Sequence, residues 1–252
     1  MKKCRLIPLI KSEFNKSAKD YEQKAFKESL GLKYLSSIET SFIQKYIKRG
    51  SADKLLLDEG IGSGRNSRIL LKKGYKVIGL DFSKNMLNQC KKNLYRYIDK
   101  KQLDLKEYDL NKSLPFQNNT FDGAICIRNI KYIKNWRQLI KETGRIIMPN
   151  GIFILEFSNI YSVQFISQMY NIYFSFRPIE VEKVLNYSGF VVLAKKYGTK
   201  LPFNIYQKIN SPYQLKKINQ IEAFLSKIFA SILSRNLIFY CKKINYKQKG
   251  KI

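Results

Sequence analysis

The residues best suited to bind a ligand lie in a glycine-rich turn between Asp58 and Arg65. Gly60, Gly62 and Gly64 occupy every second position there, directly after a short apolar run. Glycine lets the backbone turn tightly and come close to a ligand, and the start of a following helix offers unpaired N–H groups to an anion. The spacing predicts a loop that binds the polar part of a small molecule; the alternative is a plain tight turn.

An acidic residue, Asp81, ends the next apolar run, Lys76–Asp81. In a doubly wound sheet a carboxylate at this position lies across a crevice from the glycine loop, where it can accept hydrogen bonds from the two hydroxyls of a ribose. The alternative is a solvated carboxylate that only ends a strand. The dehydrogenase fingerprint G-x-G-x-x-G is not met, because Gly60, Gly62 and Gly64 are evenly spaced.

Short apolar runs alternate with segments of helical period along the middle of the chain. Strands are predicted at Lys54–Asp58, Lys76–Asp81, Leu103–Asp109, Phe121–Ile127 and Gly151–Phe157, and helices at Ser67–Lys73, Ser83–Ile98 and Trp136–Ile147. Such alternation requires crossover connections, and therefore a parallel sheet covered by helices on both faces. The predicted fold class is α/β.

The two ends of the chain fall outside this alternation. Residues 12–48 are predicted to be helical, with apolar side chains along one stripe. An aromatic-rich stretch follows residue 157. After it we predict a helix beyond Pro178, a strand near Phe190–Lys195, a helix near Leu215–Leu233 and a strand at Asn236–Lys242. No repeat, low-complexity linker or composition break marks a second domain.

Four motifs in this order resemble those of the class I S-adenosylmethionine-dependent methyltransferases. They are Asp58–Gly64, Val77–Leu87, the block from Asp109 to Asp122 with its Leu114-Pro115-Phe116 centre, and Gly144–Gly151. The resemblance covers about Lys54–Phe157 and is greatest to the small-molecule branch that includes enzymes of quinone and biotin biosynthesis. Phe14–Tyr21 is similar to the lead-in of that branch. The implied fold is a Rossmann-like, doubly wound, seven-stranded sheet, mostly parallel, with an antiparallel last strand beside the fifth.

The resemblance also implies a single methyltransferase domain over residues 1–252. Residues 1–50 would form an N-terminal helical lid, 51–157 the cofactor-binding core, and 158–252 a substrate-side insert and the final strands. Two departures from the family pattern stand out. Glu59 adds a charge beside Asp58, and Asn150 stands where a glycine is more usual, a mild change because asparagine tolerates the left-handed conformation.

The cofactor that the resemblance implies is S-adenosylmethionine. Asp58 and the three glycines would face its methionine and ribose parts, Asp81 would accept from the ribose hydroxyls, and Arg128 would line the methionine end. The positions carried over are Asp58, Gly60, Gly62, Gly64, Asp81, Phe82, Met86, Asp109, Leu110 and Arg128. Phe82 and Met86 would lie beside the adenine, Asp109 would accept from its amino group, and Leu110 would pack on the ring. A strand-end turn for Asp109 and a packing role for Arg128 are the alternatives.

Composition excludes several classes of chemistry. The chain has no histidine, which removes every Ser-His, Cys-His and His-metal mechanism, and its four cysteines form no C-x-x-C pair, so no metal site is predicted. The cysteine usage and the lack of an obvious targeting or membrane-spanning segment lead us to expect a cytoplasmic protein. The oligomeric state is not specified by the sequence.

A net charge of +28 raises the possibility of an anionic partner such as RNA. Most of the basic residues are lysine rather than the arginine that specific nucleic-acid contacts favour, so solvated surface charge is the preferred interpretation. The residues after the fourth strand, Ile127 to Ile130, lack the N/D-P-P-Y/F loop that clamps a target base. Cys126 is not followed by proline, so it is expected to be a small core residue.

We therefore predict methyl transfer to a small-molecule acceptor that is hydrophobic or aromatic. No catalytic residue is assigned; Tyr21, Tyr132 and Glu156 are candidate bases on position alone. The N-terminal helices and the aromatic insert Tyr161–Phe176 are expected to cover the strand ends and exclude water. Two alternatives remain open: an RNA or tRNA methyltransferase, and a non-catalytic module that keeps the cofactor fold.

Overall fold

The computed structural model describes residues 7–162, 173–228 and 233–244. Its centre is one seven-stranded sheet. The strands are β1 (Leu55–Glu59), β2 (Lys76–Asp81), β3 (Leu103–Glu107), β4 (Phe121–Cys126), β5 (Ile147–Ser158), β6 (Phe190–Tyr197) and β7 (Asn236–Lys243). The described helices are α1 (Ile7–Ser17), α2 (Tyr21–Phe26), α3 (Leu30–Tyr46), α4 (Ser67–Lys72), α5 (Lys84–Asp99), α6 (Trp136–Ile146), α7 (Pro178–Tyr187), α8 (Phe203–Gln207) and α9 (Pro212–Ile228).

The strand order is β3-β2-β1-β4-β5-β7-β6. β1 pairs in parallel with both β2 and β4, which makes β1 the centre from which the chain winds in both directions. β7 runs antiparallel between β5 and β6. The predicted doubly wound, mostly parallel sheet with an antiparallel last strand beside the fifth is confirmed.

Burial explains why the central strands read as continuous apolar runs. Leu57 of β1 and Phe153 of β5 are fully buried on one face of the sheet, while Leu56 and Ile154 are buried on the other. Helices cover both faces, so neighbouring side chains along a strand are both removed from water. Cys126 is buried in this core, as the sequence predicted.

β5 begins earlier than the sequence indicated. The predicted start was Gly151, but pairing with β4 already begins at Ile147, and the register shifts between Phe121 and Gly123. Asn150 takes the left-handed conformation, φ 66°, within this irregular stretch. A proline followed by an asparagine would ordinarily end a strand. Here β5 continues past both residues through a local distortion.

The N-terminal region, predicted to be helical over residues 12–48, consists of the three helices α1 to α3. The side chain of Ser29 caps α3 by accepting from the Leu32 N–H at 3.1 Å, and its hydroxyl donates to the carbonyl of Tyr206 in α8. Gly31 permits this contact, because a Cβ there would overlap the Tyr206 backbone. The predicted helix near Leu215–Leu233 is seen as α9, and the stretch 229–232 lies outside the described residues.

Among the residues that the structure describes, no helix is both long enough and apolar enough to span a membrane.

Candidate active site

The glycine loop connects β1 to the start of α4. Gly60, Gly62 and Gly64 all have positive φ, at 90°, 54° and 87°, a conformation that costs little only for glycine. The backbone N–H groups of Gly60 and Ile61 both donate to the Leu80 carbonyl at 2.9 Å. These bonds hold the loop against the end of β2. The three glycines are therefore needed for the backbone conformation of this turn at the edge of the sheet.

Asp81, at the end of β2, is hydrogen-bonded to the glycine loop. Its Oδ2 accepts from the Gly62 N–H at 2.9 Å and its Oδ1 accepts from the Ser83 N–H at 2.8 Å. Burial raises the pKa of this carboxyl to about 6, although the bonds from Ser83 and Gly62 act in the opposite direction. Each oxygen keeps lone-pair capacity for a second donor.

A cleft of about 560 Å³, including its open mouth, lies at this edge. The predicted residues in its wall are Gly60, Gly62, Asp81, Phe82, Met86 and Arg128. A second recess of about 370 Å³ shares several of these residues and adds the predicted Asp109 and Leu110. Eight of the ten residues proposed from the sequence therefore line neighbouring parts of one concave region.

The other two predicted residues, Asp58 and Gly64, lie behind the cleft rather than in its wall. Asp58 is buried and accepts from the Ser67 hydroxyl at 2.6 Å, which ties β1 to the first turn of α4. A Cβ on Gly64 would lie 2.8 Å from the Cys90 sulfur, so the loop packs tightly against α5. Burial raises the pKa of Asp58 to about 7.

Asp109 stabilises a turn as well as facing the recess. Its Oδ1 accepts from the backbone N–H and the side-chain amide of Asn111, both at 2.9 Å. This is the strand-end turn that the sequence left as an alternative. Leu110 is buried beside it and contributes an apolar wall.

Arg128 takes part in a buried ion cluster that the sequence did not predict. Glu39 of α3 bridges two guanidiniums, with its Oε1 2.6 Å from Arg128 Nε and its Oε2 2.5 Å from Arg65 Nη2. Both guanidiniums stack on Phe26, at 4.7 Å for Arg128 and 4.2 Å for Arg65. Burial alone would raise the pKa of Glu39, but the charges of Arg128 and Arg65 outweigh it and lower that pKa.

Two features show that Arg128 is held in an unusual state. Its φ is 57°, uncommon for a residue with a side chain. Its Nη2 is buried and finds no hydrogen-bond partner in the described part of the chain. A buried guanidinium nitrogen without an acceptor is costly, so this atom is suited to an anionic group that enters the cleft.

The three candidate bases differ in their electrostatic surroundings. Burial raises the pKa of Tyr21 and of Tyr132 to about 12. Burial and the charge of Glu39 raise the pKa of Glu156, whose Oε1 accepts from the Asn236 side chain. Glu156 Oε2 is buried and has no partner among the described residues.

Glu59, one of the two departures from the family pattern, has its carboxyl group inside the core. Glu59 is fully buried, and burial raises its pKa to about 8. Its Oε1 accepts from the Thr143 hydroxyl at 2.6 Å, and its backbone carbonyl accepts from Asn129 Nδ2 at 3.1 Å. Glu59 therefore links β1 to α6 and to the segment after β4, and it does not line the cleft.

Aromatic side chains, two of them from the N-terminal helices, line the cleft. The Phe14 ring of α1 meets the rings of Tyr132 at 5.3 Å, Tyr21 at 5.8 Å and Phe82 at 6.1 Å, all edge to face. Of the predicted aromatic insert, residues 163–172 lie outside the described residues. Its end returns to the sheet, where the Phe174 N–H donates to the Lys131 carbonyl and the Phe176 N–H to the Ser158 carbonyl.

The sequence analysis did not single out several residues of the cleft wall. They are Phe26, Ile61, Ser63, Arg65, Asn66, Ile127 and Asn129 around the loop, and Ile10, Tyr108, Asn111 and Ile133 around the recess. Arg65 and Asn66 directly follow the glycine motif, and Ile127 and Asn129 flank the predicted Arg128, so their neighbourhood was the available signal. Phe26 and Ile10 come from helices distant in sequence, and nothing local marks them.

Comparison with known proteins agrees with this geometry. Residues 57–155 match the family described as "Methyltransferase domain". An uncharacterised protein of Methanocaldococcus jannaschii is 31% identical over 157 residues, which is 62% of this chain and 55% of that relative. A demethylmenaquinone methyltransferase of Tropheryma whipplei is 25% identical over 186 residues, 70% of each chain. The chain thus spans only about half the length of the first of these relatives.

Solved structures show the same fold at low sequence identity. The geranyl diphosphate C-methyltransferase of Streptomyces coelicolor, in a complex with S-adenosyl-L-homocysteine, superposes with a TM-score of 0.65 at 14% identity, covering 89% of this chain and 81% of that one. A chain of the Haloferax volcanii complex between the Trm112 methyltransferase activator and a methyltransferase gives 0.63 at 16% identity, covering 92% and 98%. Residues 57–155 accordingly match a methyltransferase domain, and the chain shares the fold of these solved methyltransferases.

Proposed function

We propose that this class I S-adenosylmethionine-dependent methyltransferase transfers a methyl group to a small molecule with a hydrophobic or aromatic body. The observation that carries the proposal is the cleft beside Asp81, whose wall includes the aromatic rings of Phe14, Tyr21 and Tyr132. The quinone precursor named for the Tropheryma whipplei relative is a molecule of this kind. We further propose that residues 1–50 act as a lid on the same domain.

The residues of the cleft fit the cofactor in chemistry and in shape. Asp81 would accept from the ribose hydroxyls. Arg128 Nη2, a buried donor with no partner among the described residues, would donate to the methionine carboxylate. A Cβ at Gly62 would meet no protein atom within 4 Å, so the backbone there borders open space. Asp58 and Gly64 would act indirectly, by shaping the loop.

The adenine would occupy the recess beyond Phe82. Leu110 provides an apolar surface there, Met86 lies nearby in the main cleft, and Asp109 is available to accept from the amino group. Because Asp109 already accepts two bonds from Asn111 at one oxygen, Oδ2 is the atom left for this contact.

The cofactor, when bound, supplies a methyl carbon that is already activated by its bond to a sulfonium. The work left to the protein is to hold the acceptor in line and to exclude water, which lowers the barrier by up to about 7–11 kcal/mol in favourable cases. The rings of Phe14, Phe82 and Tyr132 perform the second task. The Glu39 bridge between Arg65 and Arg128 fixes the wall against which both molecules lie.

An acceptor that must lose a proton has Glu156 as the best-suited base in the described structure. Glu156 Oε2 is free to take a proton, and its raised pKa brings the carboxyl closer to neutral pH, where a general base works best. Tyr21 and Tyr132, with pKa values of about 12, are protonated at neutral pH and serve better as hydrogen-bond donors.

Transfer to RNA is the second candidate, and the +28 charge is the observation in its favour. One experiment separates the candidates. Purified protein is incubated with methyl-labelled S-adenosylmethionine and a cell extract divided into RNA and small-molecule fractions. We expect label in an organic-soluble product. Label in RNA alone would replace the small-molecule proposal, and no transfer to either fraction despite cofactor binding would favour a non-catalytic module.

A further inference from the structure

Two cationic side chains, Lys131 and Arg235, lie close enough to interact electrostatically at the edge of the sheet that holds the proposed active site. Lys131 lies in the helical turn Ile130–Tyr132 that follows β4. Arg235 directly precedes β7, and because β7 is antiparallel its first residue, Asn236, pairs with Ser158 at the end of β5. The start of β7 therefore lies at the same edge of the sheet as the ends of β4 and β5.

Neither cation has an anionic partner in the described ranges 7–162, 173–228 and 233–244. Lys131 Nζ lies over aromatic rings, 4.8 Å from the centre of Tyr173 and 5.2 Å from that of Tyr132. The Arg235 guanidinium lies 5.2 Å from the ring centre of Phe203, and its Nε is buried with no hydrogen-bond acceptor. Cation–π contact offsets only part of the cost of removing such groups from water.

The nearby carboxyl groups offset the charge of these two cations only in part, Glu156 acting on both and Glu39 on Arg235. Glu39 is already shared by Arg65 and Arg128, and Glu156 is engaged by the Asn236 side chain. Burial and the charge of Glu39 also raise the pKa of Glu156, which reduces its negative charge. Among the described residues, the four cations Arg65, Arg128, Lys131 and Arg235 thus share the two carboxyls Glu39 and Glu156.

The pKa values of both cations are lowered. Burial lowers the pKa of Lys131, and the charge of Arg128 lowers it further. Burial and the charge of Arg128 likewise lower the pKa of Arg235. Uncompensated positive charge next to a substrate cleft is costly in the free protein, and a bound anion would remove that cost.

We propose that Lys131 and Arg235 bind an oxyanion, a carboxylate or a phosphate, carried by the methyl acceptor. This inference rests on the proposed function and narrows its substrate class to an aromatic or hydrophobic molecule with an anionic group. Tyr132 and Tyr173 supply aromatic surface beside Lys131, and Phe203 supplies it beside Arg235. Arg128, which borders both the cofactor cleft and this cluster, keeps its unpartnered Nη2 for the cofactor.

The test compares charged and neutral probes on the protein saturated with S-adenosylhomocysteine, so that the probes cannot occupy the cofactor cleft. Thermal unfolding is followed at fixed ionic strength with benzoate, phenyl phosphate, benzamide and phenol. We expect benzoate and phenyl phosphate to raise the unfolding midpoint and the two neutral compounds to have little effect. Equal effects of charged and neutral probes, or no effect of any probe, would overturn the inference.

Variants then locate the site. Lys131→Met and Arg235→Met should weaken the apparent affinity for benzoate and phenyl phosphate roughly ten- to hundredfold. Lys91→Met, at an exposed position on α5, makes the same change in charge and should leave the affinity for both anions unchanged. Both site variants should retain S-adenosylhomocysteine binding, which separates this inference from the proposed cofactor site. Unchanged anion binding in both site variants would refute the assignment.

The same variants have a second readout without any probe. Removing one of two partly buried, incompletely compensated charges should keep or raise the unfolding midpoint of the free protein at low ionic strength, while abolishing the stabilisation by the anions. A variant that is less stable and still responds to benzoate would show that the cation serves packing instead.

Discussion

Asp58 and Glu59 are consecutive carboxyl groups buried at the end of β1. Both are almost inaccessible to water, and burial raises their pKa values to about 7 and about 8. Each has one hydroxyl donor, Ser67 for Asp58 and Thr143 for Glu59, and neither has an ion-pair partner among the described residues. Ionisation of these two carboxyls opposes folding. They therefore lower the stability of the folded protein at high pH.

The buried carboxyls of Asp58 and Glu59 should make the free energy of unfolding depend on pH. The native state holds protons that the unfolded chain releases near pH 4, so the free energy of unfolding contributed by these groups should fall as pH rises from about 4 through 7 and 8. Asp58→Asn keeps an acceptor for Ser67 and cannot ionise. It should flatten this dependence and stabilise the protein by on the order of 1–3 kcal/mol at pH 8. Urea unfolding between pH 5 and 8 measures it.

The exposed Asp104 of β3 provides the control, because Asp104→Asn removes the same charge where water solvates it. We expect Asp104→Asn to leave the pH dependence as in the parent protein. A parent protein whose stability rises between pH 5 and 8, or an Asp58→Asn variant with an unchanged slope, contradicts the account of these buried carboxyls.

Gly62 and Gly189 form a matched pair of glycines for testing the loop. Both have positive φ, 54° and 86°, and a Cβ on either would meet no protein atom within 4 Å. Each change to alanine should therefore cost about 1–2 kcal/mol in backbone strain. Only Gly62 lines the cleft, so Gly62→Ala should also weaken S-adenosylhomocysteine binding at least about tenfold, as calorimetry would measure. Equal affinities of the two variants would remove Gly62 from the site.

At the residue scale, local spacing was enough to predict the loop and Asp81, because a turn and a strand end leave a pattern over a few neighbouring positions. Glu39 left no such pattern. It lies 89 residues before Arg128 and 26 before Arg65, and its role arises only when α3 packs against the loop. The buried position of Asp58 behind the cleft was likewise decided by packing against α4, which a motif does not encode.

At the scale of elements, α3 connects the N-terminal helices to the cofactor-binding loop through Glu39. Glu39→Gln would leave two guanidiniums facing each other in a buried position with no carboxylate between them. We expect it to destabilise the protein by about 3–5 kcal/mol. Glu107→Gln at the exposed Lys11 pair should cost under about 1 kcal/mol. Chemical denaturation of both variants checks this, and similar small losses would mean that the bridge is energetically minor.

The order and type of the central elements could be predicted because both hydrophobic periods repeat clearly between residues 54 and 157. Element ends were less accurate. β5 starts four residues before its predicted glycine, since pairing with β4 continues through the distortion at Asn150. The division of the N-terminal helices also depends on tertiary contacts, such as the Ser29 cap that bonds α3 to α8.

At the scale of the whole molecule, the net charge of +28 is the property most open to two interpretations. We expect RNA binding to be weak and to fade toward 0.15 M salt, because non-specific association loses affinity with a log-log slope of roughly −0.7 to −0.9 per phosphate neutralised. Filter binding across a salt series measures this slope. Tight, sequence-selective binding at about 0.15 M salt would favour an RNA acceptor while leaving the fold and cofactor unchanged.

The central claim is that the cofactor binds at the carboxyl ends of β1, β2 and β3. Titration calorimetry with S-adenosylhomocysteine tests it most directly, on the parent protein, on Asp81→Asn and on the exposed control Asp104→Asn. We predict one site per chain, a loss of roughly 1.5–3 kcal/mol in binding free energy for Asp81→Asn, and no loss for Asp104→Asn. Binding that is absent in the parent protein, or undiminished in Asp81→Asn, would contradict the claim.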